Sequence, residues 1–283
     1  MPAPIIDNFV SPEWLESHLK SPGVIVVDAS WYLPTDNRDP HKEYLNEHIP
    51  GAVFFDIEAI TDKSSTLPHM LPDPIAFGSA MRKLGIGDGH RIVVYDGSGL
   101  FSAPRVWWTF RAFGARDVVI LEGGLPRWKA EGRELEDGPV RRMGSHFSPR
   151  KNHGAVASVD DVRGALATGS AQVVDARSAA RFSGDAPEPR PGLRSGHMPG
   201  SFNVPWTEVV ENGQLKSPET IAKIFTEAGV DLKKPIITTC GSGISAAILG
   251  LALESTGHVA SGLYDASWCE WGARPELPVA KGA

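Results

Sequence analysis

The sequence predicts an α/β protein of two tandem domains, each an open, mainly parallel sheet flanked by helices. The first observation is internal repetition: "VIVVDAS" at 24–30 returns as "AQVVDAR" at 171–177, and "EHIPGAVFFDIE" at 47–58 returns as "GHMPGSFNVPWTE" at 196–208. "RIVVYDGSGLFSA" at 91–103 matches "PIITTCGSGISA" at 235–246, and "ILEGGLPRW" at 120–128 matches "LYDASWCEW" at 263–271. Four matches in one order mean two copies of one fold. The second observation is the alternation of short apolar β-branched runs with helical periodicity, the pattern of a parallel sheet covered on both faces. The third is the stretch 131–158, rich in Gly, charge and turn formers. It sets a linker at 136–157 between a first domain at 1–135 and a second at 158–283.

In chain order, "SPEWLESHLK" reads as a helix with Ser11 as its N-cap, and Val24–Val27 as a strand buried on both faces. "PIAFGSAMRKLGI" is helical, and Ile92–Tyr95 and Val118–Leu121 are strands. In the second copy Gln172–Val174 and Ile236–Thr239 are strands, while "SPETIAKIFTEAGV" and "ISAAILGLALES" are helices. Small length differences fall in the connecting segments, where loops tolerate them: Asp28 to His48 is 20 residues and Asp175 to His197 is 22.

A chain of 283 residues accommodates two ordinary cores, and a net charge of −6 supplies no basic field for nucleic acid. The stretch "MPAPIIDNFVSPEWLESHLK" lacks a charged start followed by an apolar region, and no run is long enough to span a bilayer, which predicts a soluble, cytoplasmic protein. Two cysteines argue against a disulfide framework and leave thiol chemistry open. Nine histidines without HExxH or paired CxxC spacing indicate no metal site.

Cys240 stands where a strand ends and a loop leads into a helix, the place where functional groups gather in such sheets. In "CGSGIS" Gly241 and Gly243 are able to turn amides inward, with Ser242, Ile244 and Ser245 completing the loop before the helix N-terminus. That cradle suits a sulfur anion and favours a nucleophilic thiolate. It differs from a phosphate loop, because GxxxxGK[ST] is absent.

With "VVDAS", "HIPGA", "FSAPRVWW", "DARSAARF", "EPRPG", "HMPGS" and "EWGARPELPV" in order, the chain resembles the tandem-domain rhodanese superfamily, and within it the 3-mercaptopyruvate sulfurtransferases. Thiosulfate-using relatives carry Arg and Lys directly after the cysteine, whereas Gly241 and Ser242 stand there in this chain. "GISA" departs from the common "GVTA" but keeps a hydroxyl at Ser245. The resemblance implies attack of Cys240 on the sulfur of 3-mercaptopyruvate, a Cys240 persulfide, release of pyruvate, and transfer of the sulfur to thioredoxin, a small thiol or cyanide, with no cofactor. It implies Arg181 and Arg190 as the arginines that bind the substrate carboxylate, a role for which the guanidinium fork is apt. It further implies a Ser-His-Asp relay whose His and Asp come from the first copy, and His48 and Asp39 are expected to partner Ser242. The competing reading of His48 is a structural role at the turn before Pro50 and Gly51, which His197 would repeat in the second copy.

Asp96 occupies the place of Cys240 in the first copy and cannot carry sulfur, so one active site per chain is expected. Cys269 reads as a small buried side chain, and the tryptophans at 107, 108, 128, 268 and 271 as packing. Two other functions remain open: a thiosulfate:cyanide sulfurtransferase, which would favour a cationic loop, and a redox-sensing module in which Cys240 is merely oxidised.

Overall fold

The computed structural model describes residues 8–282; residues 1–7 and 283, included in the expected domain limits, lie outside them. Phe9–Val10 (β1) leads into Pro12–His18 (α1), where the Ser11 side chain accepts the Trp14 amide as the expected N-cap. There follow Val24–Asp28 (β2), Pro40–Asn46 (α2), Val53–Phe54 (β3), Pro74–Lys83 (α3), Arg91–Tyr95 (β4), Ala103–Ala112 (α4), Val118–Leu121 (β5) and Gly124–Ala130 (α5). The second half repeats this with Val156–Ala157 (β6), Val159–Thr168 (α6), Gln172–Asp175 (β7), Ala179–Ser183 (α7), Phe202–Asn203 (β8) and Trp206–Val209 (α8). A small antiparallel ribbon, Val210–Glu211 (β9) with Gln214–Leu215 (β10), precedes Pro218–Glu227 (α9), Ile236–Thr239 (β11), Ala246–Ser255 (α10), Gly262–Tyr264 (β12) and Ser267–Trp271 (α11).

The duplication is reproduced strand for strand. The first sheet runs β1-β5-β4-β2-β3 and the second β6-β12-β11-β7-β8, with every pairing in both sheets parallel. Parallel strands need both faces covered, and β2 is buried at all five positions. Ile25 and Val27 face one core cluster and Val24 and Val26 the other, as the two-residue period of a strand requires. Each such side chain contributes about 1.5–3 kcal/mol on burial.

The stretch expected as a linker lies against the first domain over much of its length. Asp88 N donates to His146 O, Arg150 N donates to Phe113 O, and Phe147 is buried in the first core. Its last two residues, Val156 and Ala157, form β6 of the second sheet.

The helices that follow the two equivalent loops, α4 and α10, pack on each other across the domain boundary. Ile244 and Leu251 of the second half are buried in the first domain's core cluster, and Arg111 donates to both carboxylate oxygens of Glu254 at 2.7 and 2.9 Å. This packing brings the cysteine loop against residues of the first half. Among the described residues no helix is long and apolar enough to cross a membrane.

Candidate active site

Strand β11 ends at Thr239, and the next residue, Cys240, is 2 % exposed at the mouth of the loop into α10. The Gly243 amide donates to Cys240 Sγ at 3.1 Å. Gly243 takes φ +81°, and a Cβ there would lie 2.7 Å from both Arg105 Nη1 and Asp265 O. Only glycine fits that backbone and that space. The Cys240 amide donates to Ser267 Oγ, while its carbonyl accepts the Trp268 amide and the Gly241 carbonyl accepts the Cys269 amide, so α11 props the loop from behind. Ile244 anchors the loop in the interdomain core, and Ser245 caps α10 without a side-chain bond.

The equivalent loop in the first domain shows what this backbone can hold. There the Asp96 carboxylate accepts the amides of Ser98, Phe101, Ser102 and Ala103 at 2.7–2.9 Å. The first copy carries its anion as a fixed carboxylate, and the second carries a sulfur at the same place.

Ser242 is 6 % exposed and its Oγ lies 3.0 Å from His69 Nδ1. His69 Nε2 lies 2.9 Å from Glu58 Oε1, which also accepts Trp31 Nε1–H at 2.7 Å. Because the Glu58 carboxylate can only accept, the ring keeps a proton on Nε2, and in its neutral form Nδ1 is left to accept the Ser242 hydroxyl. The His69 hydrogen bond, opposed by partial burial and reinforced by the ring's charge, holds the Glu58 carboxyl far below its usual range, to about 2.

This relay corrects the sequence-based pairing of Ser242 with His48 and Asp39. His48 is fully buried elsewhere, its Nδ1 2.7 Å from Tyr44 O and its main chain bridged to Glu136. His197 repeats that arrangement, its Nδ1 2.9 Å from Phe182 O and its main chain bridged to Ala280. The two duplicated histidines therefore do the same structural work. Asp39 caps α2, accepting the Lys42 amide at 3.0 Å. His69 escaped the sequence reading because it sits in "TLPHMLPD", a Pro-rich segment with no counterpart in the second copy: Glu58 to Asp73 spans 15 residues, whereas Glu208 to Ser217 spans 9. That insertion, carrying a histidine into the first half only, was the available signal.

Arg181 stands beside the loop, since a Cβ on Gly241 would lie 3.0 Å from its Nη2. Glu188, its side chain 1 % exposed, holds Arg181 at 2.5 Å and Arg177 at 2.8 Å, and Arg177 in turn pairs with Asp175 at 2.7 Å. Arg190 is half-buried and, among the described residues, makes no ion pair or hydrogen bond; its charge reaches both Glu58 and Cys269. Arg181, the Ser242 hydroxyl with its His69 partner, and the Cys240 sulfur are thus gathered at one loop. Cys269 is buried, and burial pushes its thiol up, offset in part by the charges of Arg190 and Arg181.

The rhodanese-like domain family matches residues 11–131 and again 158–274. The chain is 49 % identical over 272 residues to the 3-mercaptopyruvate sulfurtransferase of Escherichia coli (strain K12), covering 96 % of this chain and 97 % of that one. It is 41 % identical to the 3-mercaptopyruvate sulfurtransferase of Homo sapiens, covering 96 % and 95 %. The crystal structure of SseA from Escherichia coli superposes with a TM-score of 0.86 at 47 % identity, over 93 % of this chain and 99 % of that chain. Repeated topology, duplicated loops and these likenesses over nearly the whole length agree: the chain belongs to the rhodanese-like family, as a tandem pair of its domains.

Proposed function

We propose that the chain is a sulfurtransferase that takes sulfur from 3-mercaptopyruvate and passes it, through a persulfide on Cys240, to a thiol or cyanide acceptor. The observation that carries this reading is the Ser242–His69–Glu58 chain beside a neutral cysteine loop, reinforced by the names and likeness of the relatives above.

The Cys240 thiolate attacks the substrate sulfur, the carbon–sulfur bond breaks, and its electron pair moves onto the three-carbon fragment as the pyruvate enolate. Cys240 keeps the sulfur. The substrate's thiol proton passes through Ser242 to His69 Nδ1, Glu58 stabilises the charged ring at Nε2, and the same path returns the proton to the enolate carbon, giving pyruvate. Arg190, which makes no hydrogen bond or ion pair among the described residues, and the part of Arg181 that faces Gly241 bind the substrate carboxylate. The two amino acids after Cys240, glycine and serine, add no cation, which suits a monoanionic 2-oxo acid better than a dianionic donor. The acceptor thiolate then attacks the outer sulfur and restores Cys240.

The test is pyruvate release from 3-mercaptopyruvate measured beside thiocyanate formation from thiosulfate, with the native chain and Cys240→Ser under the same cyanide concentration. Faster pyruvate release that vanishes in the variant is expected. Preference for thiosulfate would transfer the assignment to a thiosulfate sulfurtransferase, and reaction with neither donor would leave a redox module.

A further inference from the structure

His69 and Glu58 come from the first domain and Ser242 and the sulfur from the second, so something must fix their register. Arg105, on α4 of the first domain, is 2 % exposed and touches both. Its Nη2 donates to the main-chain oxygen of His69 at 2.6 Å, and its Nη1 donates to the main-chain oxygen of Gly243 at 3.2 Å. Asp265, just past β12 in the second domain, forms an ion pair with Arg105 at 2.6 Å, and its other oxygen accepts the Leu71 amide at 2.8 Å. The guanidinium also lies over the Trp108 ring, 4.6 Å from its centroid. His69 itself is held at φ +61°, a left-handed conformation that a non-glycine residue keeps only when its surroundings enforce it.

We propose that Arg105 and Asp265 are positioning residues for sulfur transfer: a buried ion pair that clamps the His69–Leu71 segment of one domain to the Gly243 carbonyl of the other, keeping the His69 ring against Ser242 and the Gly243 amide on Cys240. Neither side chain touches the reacting atoms. Arg105 suits the task because one planar fork donates to two main-chain carbonyls in fixed directions while its charge pairs with the Asp265 carboxylate, which an ammonium does not reproduce. The inference rests on the reading of Ser242 and His69 as the proton path.

The experiment uses the full chain with Arg105→Lys and, separately, Asp265→Asn, each alone and combined with His69→Asn, with kcat counted per folded chain from the far-UV thermal transition. Either variant is expected to lower kcat for pyruvate release by about tenfold or more and to leave KM within about twofold, because Arg181 and Arg190 are untouched. Added to His69→Asn, either should change kcat by less than about twofold, since the group it positions is already gone. In protein labelled with 15N-histidine, the His69 ring resonances should move toward those of an exposed imidazole. Equal losses with and without His69, a raised KM at unchanged kcat, or unmoved His69 resonances would overturn the proposal, as would failure of both variants to fold, which would make the pair a folding element only. If the native chain releases no pyruvate, the functional reading fails separately, and the His69 resonances still decide whether Arg105 holds the ring.

Discussion

Removing the Ser242 hydroxyl deletes one polar atom while leaving the loop backbone intact, so Ser242→Ala isolates the relay from the nucleophile. Both Ser242→Ala and His69→Asn are expected to lower kcat for pyruvate release by about 10²–10³-fold, the range for losing a positioned acid–base group, with Cys240 still open to alkylation. His48→Asn provides the contrast: with its ring fully buried and stacked on Tyr44 at 4.3 Å, its loss should appear as a lower melting temperature with turnover per folded chain unchanged. Glu58 adds a pH dependence. Its folded-state pKa, about 2, is depressed below the ordinary 4.5, so its stabilising contribution is complete above about pH 4.5 and is lost as pH falls toward 2. Above about pH 4.5, Glu58→Gln should therefore show a deficit relative to the native chain in urea melts, and the two should converge as pH falls toward 2. The group is well exposed, so solvent screening keeps the deficit small.

At the scale of elements, the two equivalent loops test how an anion cradle is stabilised. Asp96→Ala withdraws the acceptor of four amides in the first-domain loop and leaves buried N–H groups unpaired, which should destabilise the chain by about 1–3 kcal/mol without altering the chemistry at Cys240; a thermal melt and an activity assay on the same preparation separate the two effects. The strands around these loops were legible in the sequence because a strand buried on both faces is a short, unbroken apolar run, as in Val24–Val27 and Ile236–Thr239. The loop after Cys240 was legible because two glycines and a helix pattern follow a strand, and the copy of it at Asp96 confirmed the frame. The histidine partner was not legible, because nothing local marks a loop residue whose neighbours arrive from 173 residues away, as Ser242 does for His69. His48 looked suitable for the same reason that it was duplicated, namely a motif position with a main-chain role in both copies. Arg105 was hidden inside "FSAPRVWW", where a helical arginine between apolar residues reads as surface charge until the second domain covers it.

At the scale of the molecule, the chain unites two similar domains through one shared apolar seam, with Ile244 and Leu251 of the second half inside the core of the first. Phe101 and Trp108 of the first half pack in turn against the core of the second. Neither domain then presents a closed surface of its own at this seam, because separating them would expose both sets of side chains and unpair the buried Arg105 and Asp265, whose side chains are each 3 % exposed. A buried charge stripped of its partner is strongly unfavourable, and so is the apolar area released with it. The two halves are therefore expected to unfold together, as a single calorimetric transition whose van't Hoff and calorimetric enthalpies agree, in spite of the two-domain sequence. Leu251→Ala, on α10 of the second half, should lower that one transition as a whole by about 2–5 kcal/mol, a shift of several degrees, because the cavity opens in the common core. A split into two transitions, with only the second-domain transition displaced, would show that the halves fold independently and that the active site depends on docking after folding.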